Sequence, residues 1–93
     1  MIVMGCYVEL YVLESSSLKD KRRVVKSLVD RIRGAFNVAV AEVDHNELWQ
    51  RASLGIVTVS NQVRHANEVL SKVVNLLEKD LRIELIDYDM EVY

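Results

Sequence analysis

Proline is absent from this sequence and glycine occurs only three times, so nothing in the chain forces a kink, and no flexible linker separates one part from another. A single cysteine, Cys6, excludes an internal disulfide framework and suits a reducing compartment, where it is read as a small buried hydrophobe. No apolar run is long enough to span a bilayer. The apolar start, MIVMGCYVELYVL, has no positive leading region and carries Glu9, which argues for a strand and against a secretory signal. There is no glycine-rich phosphate loop, no nucleophile elbow and no Cys-His spacing of a metal or catalytic kind. What remains is one domain over residues 1–93. A chain of this size buries roughly two thirds of its unfolded surface, and with 51% hydrophobic residues it has apolar surface to spare for an interface.

What the chain has instead is an uneven distribution of charge. Residues 17–34, SLKDKRRVVKSLVDRIRG, hold seven of the twelve basic residues and two of the fourteen acidic ones. That segment is formally +5 and the rest −7, so the net −2 conceals two regions of opposite sign.

Hydrophobic periodicity orders the elements. Residues 2–13 alternate, with Met4, Cys6, Val8, Leu10 and Val12 on one face and Gly5, Tyr7, Glu9 and Tyr11 on the other. Ser17 and Asp20 form a capping-box pattern that opens a helix running to about Gly34, with Leu18, Val25, Leu28, Val29 and Ile32 as its buried stripe. Lys19, Arg23, Lys26 and Arg33 recur on another face of that helix, interrupted by Asp30.

Strands at Val38–Val43 and about Trp49–Val59 flank a polar hairpin loop, Asp44 to Glu47. Asn61 is expected to cap a second helix reaching Lys79, with Val63, Ala66, Leu70, Val73 and Leu77 inward. The last strand, about Leu81 to Val92, sets Ile86, Tyr88, Met90 and Val92 against Asp87, Asp89 and Glu91. With right-handed crossovers this order gives a ferredoxin-like α/β (α+β) sandwich, βαββαβ: a four-stranded antiparallel sheet with two helices on one face.

Three stretches, SLKDKRRVVKSL near residue 17, AEVDHNELWQRASLG from residue 41 and IDYDMEV near the end, together resemble the bacterial YlxP-like family, a domain-of-unknown-function group. The segment from Asp44 to Ala52, with His45, Leu48, Trp49, Gln50 and Arg51, carries most of the resemblance. It implies a ferredoxin-like sandwich in the cytoplasm and, because family members are often encoded beside translation and ribosome-maturation factors, a ribosome-related role. It implies no reaction. The chain departs from many relatives in having Glu-Ser-Ser before Ser17, where a Pro-Gly turn is common.

Lys19, Arg23, Lys26 and Arg33 are therefore the expected phosphate contacts of a non-catalytic accessory protein whose partner is ribosomal RNA or a ribosomal particle. The alternative is a homodimeric or partner-bound protein-protein module that covers the open sheet face through Tyr7 and Tyr11. An RNA-recognition-motif reading of that face is disfavoured, because the third strand, RASLGIVTV, has no aromatic residue. Asp44, His45, Trp49, Gln50 and Arg51 form a candidate recognition surface on the hairpin, although Trp49 is read first as an anchor beneath it. Asp44, His45 and Glu47 match no standard metal motif, His65 is read as a helix-surface residue, and no cofactor, metal or catalytic residue is expected.

Overall fold

The computed structural model describes residues 1–93. Its elements run β1 (Ile2–Val12), α1 (Leu18–Ala35), β2 (Ala39–Asp44), β3 (Arg51–Ser60), α2 (Val63–Glu78) and β4 (Ile83–Val92). The strands form one sheet in the order β2-β3-β1-β4, and every neighbouring pair is antiparallel. This is the expected βαββαβ arrangement.

The period-two pattern of β1 places Met4, Cys6, Val8, Leu10 and Val12 under the helices, where all five are buried. From β3, Ala52, Leu54 and Ile56 join them. Leu28 and Ile32 of α1 and Ala66, Leu70, Val73 and Leu77 of α2 close the core with no exposure at all. Each such leucine or isoleucine contributes about 1.5–3 kcal/mol relative to an exposed position. Cys6 belongs to this layer, and burial pushes its thiol up to about 11, so at neutral pH it is an inert apolar group.

Helix starts followed local chemistry with two adjustments. The Asp20 amide donates to Ser17 Oγ at 3.1 Å, as a capping box requires. The reciprocal arm reaches one residue further back, with Asp20 Oδ2 accepting from the Ser16 amide and hydroxyl. Those two bonds hold the Asp20 carboxyl below its ordinary value. At α2 the N-cap is Gln62, without a side-chain bond, not Asn61. Ser60 Oγ accepts from the Gln62 amide, and this short serine turn fixes the entry so that Val63 stays exposed and the inward stripe begins at Ala66.

In β4 the register against β1 slips between Glu9 and Leu10, where Glu9 faces Asp87 but Leu10 faces Leu85. Ile86 is the extra residue of this bulge, so the row of Tyr88, Met90 and Val92, opposite Val8, Cys6 and Met4, continues at Leu85 and Ile83, which corrects the expected place of Ile86 in that row.

The α2–β4 turn is held by charge. Asp80, buried, accepts from Arg82 at 2.7 Å and from Arg31 of α1 at 3.1 Å, and Arg82 continues to Ser27 Oγ at 3.0 Å. The Arg82 guanidinium holds the Asp80 carboxyl below the usual carboxylate range. A carboxyl lowered on folding gives stability that is present above its unfolded value, near pH 4, and is lost as pH falls through the folded value. Asp80→Asn should therefore cost about 1–3 kcal/mol at neutral pH and melt with a flatter acid limb than the parent. Melting curves from pH 2 to 6 check both.

Candidate nucleic-acid interface

At about 100° per residue, Lys19, Arg22, Arg23, Lys26, Asp30 and Arg33 fall within an arc of about 100° on α1, opposite the stripe that packs on the sheet. All six are exposed. Lys26 pairs with Asp30 at 2.9 Å across one turn, and Arg33 Nη2 donates to the Val40 carbonyl at 3.2 Å. Lys19, Arg22 and Arg23 make no ion pair and no side-chain hydrogen bond. The expected stripe of Lys19, Arg23, Lys26 and Arg33 thus lies on one exposed face. It includes Arg22, which the sequence reading passed over although it sits three residues after Lys19 and four before Lys26. Arg31 points to the other side, at Asp80.

The remaining cation of the segment behaves differently. Lys21 stands three residues after Leu18 and four before Val25, on the buried stripe, and is fully buried. Its ammonium has three acceptors: Glu42 Oε2 at 2.9 Å, the His45 carbonyl at 2.8 Å and the Asn46 carbonyl at 3.2 Å. Three donors meeting three acceptors is what makes a buried ammonium tolerable. Lys21 thereby pins the β2–β3 hairpin onto the first turns of α1. Gln50 Nε2 adds a bond to the Ser15 carbonyl at 3.4 Å, and the Val12 amide donates to the Gln50 carbonyl at 2.8 Å.

The hairpin loop is longer than expected, since Asp44 ends β2 while Trp49 and Gln50 precede β3. His45 takes a left-handed backbone, φ 63°, with its amide bonded to Asp44 Oδ1 at 2.7 Å. That bond to the preceding carboxylate, with the Leu48 amide on the His45 carbonyl at 3.1 Å, offsets the local strain. Trp49 is 55% exposed and belongs to no part of the core. The anchor reading is overturned: β3 begins two residues later, so the indole is left on the loop instead of beneath it. With Glu47, Leu48, Gln50 and Arg51 it lines an open cleft of about 330 Å³.

His45 and Arg51 converge on Glu9 of β1. Arg51 Nη2 meets Glu9 Oε2 at 2.8 Å, and His45 Nε2 lies 3.7 Å from Glu9 Oε1. Ser53, opposite Glu9, is buried with no partner for its hydroxyl. The hairpin is thus the place where the helix layer and the open sheet face meet.

Beyond it that face divides in two. Val43 lies over Gly55 and Tyr93 over Gly5, with Tyr7, Val57 and Val59 exposed beside them. Along β4 stand Asp87, Asp89 and Glu91. Tyr7 and Tyr11 both belong to this face, Tyr11 between Arg51 and Glu84. No group of three or more His, Cys, Asp or Glu side chains is arranged to hold a metal ion, and no helix is long and apolar enough to cross a membrane.

A family model described as "Protein of unknown function (DUF503)" matches residues 3–90. The chain belongs to the DUF503 family. It is 33% identical over 76 residues to the uncharacterized protein YlxP of Bacillus subtilis, which covers 82% of this chain and 83% of that protein. The resemblance to a YlxP-like family is therefore sound. Among solved structures, a de novo designed protein with a ferredoxin fold aligns over the whole chain and 84% of its own, with a TM-score of 0.59 and 12% identity. At that identity it speaks for the fold alone. In this DUF503 domain the hairpin that carries the sequence resemblance is also the segment that Lys21 fixes to α1.

Proposed function

We propose that this domain is a non-catalytic accessory factor that binds RNA, with ribosomal RNA as the favoured partner, through the outward face of α1. The observation that carries the reading is the row of Lys19, Arg22, Arg23, Lys26 and Arg33 on one exposed helix face, three of them without any partner. Unpaired cations on a rigid element lose little on meeting phosphates, and their counterion exchange drives association. The acidic edge of β4 lies on the other layer, so it orients the domain with α1 toward a polyanion. A cytoplasmic location goes with such a partner and with the buried thiol of Cys6.

Anisotropy of a labelled ribosomal RNA fragment over a salt series tests this. Contact with about four phosphates gives a log-log slope near −3.6 on a duplex and near −2.8 on a single strand, and a flat profile removes the reading.

A second reading rests on Tyr7, Val43, Val57 and Val59, all exposed on the open face. Apolar side chains gathered there favour a homodimer across the sheets. Such a dimer leaves α1 free, and a monomer in sedimentation at micromolar concentration excludes it.

A further inference from the structure

We propose that Trp49 is a stacking platform for an unpaired nucleobase of the same RNA strand whose phosphates α1 holds. The inference rests on the RNA reading above and adds to it what the hairpin recognises. Trp49 is the chain's only tryptophan, it is more than half exposed, and its indole makes no hydrogen bond and supports no core contact. An indole on a mobile loop would order poorly on binding, but this loop is held from both ends. Lys21 grips the carbonyls of His45 and Asn46, Gln50 is tied to Ser15, and Arg51 is braced by Glu9. Preorganisation of that kind lowers the cost of binding.

The cleft beside the indole, about 330 Å³, has the size of a small-ligand site. Gln50 and Arg51 stand in its wall with Glu47 and Leu48, and because the Gln50 amide is engaged with Ser15 and the Arg51 guanidinium with Glu9, the wall is fixed in shape and the indole is what it offers a base. The unpaired cations of α1, and not the cleft, where Glu47 stands beside an Arg51 already paired with Glu9, select a nucleic acid over an apolar peptide as the occupant. Lys21, which fixes the loop, and the unpaired Lys19, Arg22 and Arg23 lie in the first turns of α1 on opposite sides of the helix, so the platform and the cations flank one rigid helix end, which a single strand can wrap. Cations tracking a backbone beside an aromatic face are the two components of single-strand binding.

Because there is one tryptophan, its emission reports on this site alone. The full chain would be titrated with a short oligouridine and with an RNA duplex of equal length, reading tryptophan emission and the anisotropy of labelled RNA. The single strand should quench Trp49, whereas the duplex should bind in a salt-steep manner with little quenching. Trp49→Ala should weaken the single strand about tenfold and leave the duplex unchanged, and Trp49→Phe should retain most of the affinity. Single-strand binding without quenching, with Trp49→Ala equal to the parent, overturns the stacking role while the RNA reading stands. Absence of binding by both RNAs at low salt overturns the RNA reading and the platform with it.

Discussion

Lys21→Met should destabilise the domain by about 3 kcal/mol and loosen the hairpin, although it keeps an apolar stem of similar length. The ammonium is fully buried and serves three acceptors. Without it Glu42, whose side chain is 17% exposed, is a carboxylate with little water and no counter-charge. Removing one member of a buried pair costs about 3–5 kcal/mol. The lower end applies here because the Glu42 edge and the loop carbonyls retain some access to water. Glu42 faces Leu54 across the ladder on the core side, so Lys21→Met combined with Glu42→Leu should recover most of the loss. Urea unfolding of parent, single and double variants checks this. Equal stability of the parent and the single variant would show that the Lys21 contacts contribute nothing net.

Changing Lys19, Arg22, Arg23 and Lys26 together to Glu should abolish RNA binding at moderate salt, a loss of more than about a hundredfold, while the fold survives. None of the four touches the core, and the one ion pair lost, Lys26 with Asp30, is exposed and worth about 0.3–0.5 kcal/mol. Replacing them one at a time by Gln is the gentler version, each flattening the salt slope by about one. Circular dichroism of each variant separates lost binding from lost structure. The same set without Arg22, with Arg33 in its place, should act more weakly, because Arg33 is already engaged with the β2 carbonyl of Val40.

The architecture was legible because its determinants are local or periodic. The alternation of β1, the Ser17 cap and the inward stripe of α2 can be read from spacing alone, and together they leave few topologies. Arrangements set by tertiary partners were not. Ile86 leaves its row because β4 must match the register of β1 on both sides of a bulge. Trp49 looked like an anchor by composition, yet the length of the hairpin loop, which depends on where β3 pairs with β1, leaves it in solvent.

Lys21 is the most instructive omission. Its position in the 18, 25, 28, 32 stripe was visible, but a lysine there reads as a solvated charge until Glu42 and the hairpin carbonyls, more than twenty residues away, are seen to converge on it. Glu14, in the first loop, has φ 58°, a conformation that glycine adopts without strain and that spacing and composition did not reveal.

The central claim is that the working surface is the outward face of α1 together with the hairpin that Lys21 ties to it. The direct measurement is a titration of the isotope-labelled domain with a ribosomal RNA fragment, followed by amide chemical shifts. The account predicts perturbations at Lys19, Arg22, Arg23 and Lys26 and from His45 to Arg51, with Asp87, Asp89 and Glu91 unmoved. Perturbations centred on Tyr7, Val57 and the β4 edge, with α1 silent, would contradict it.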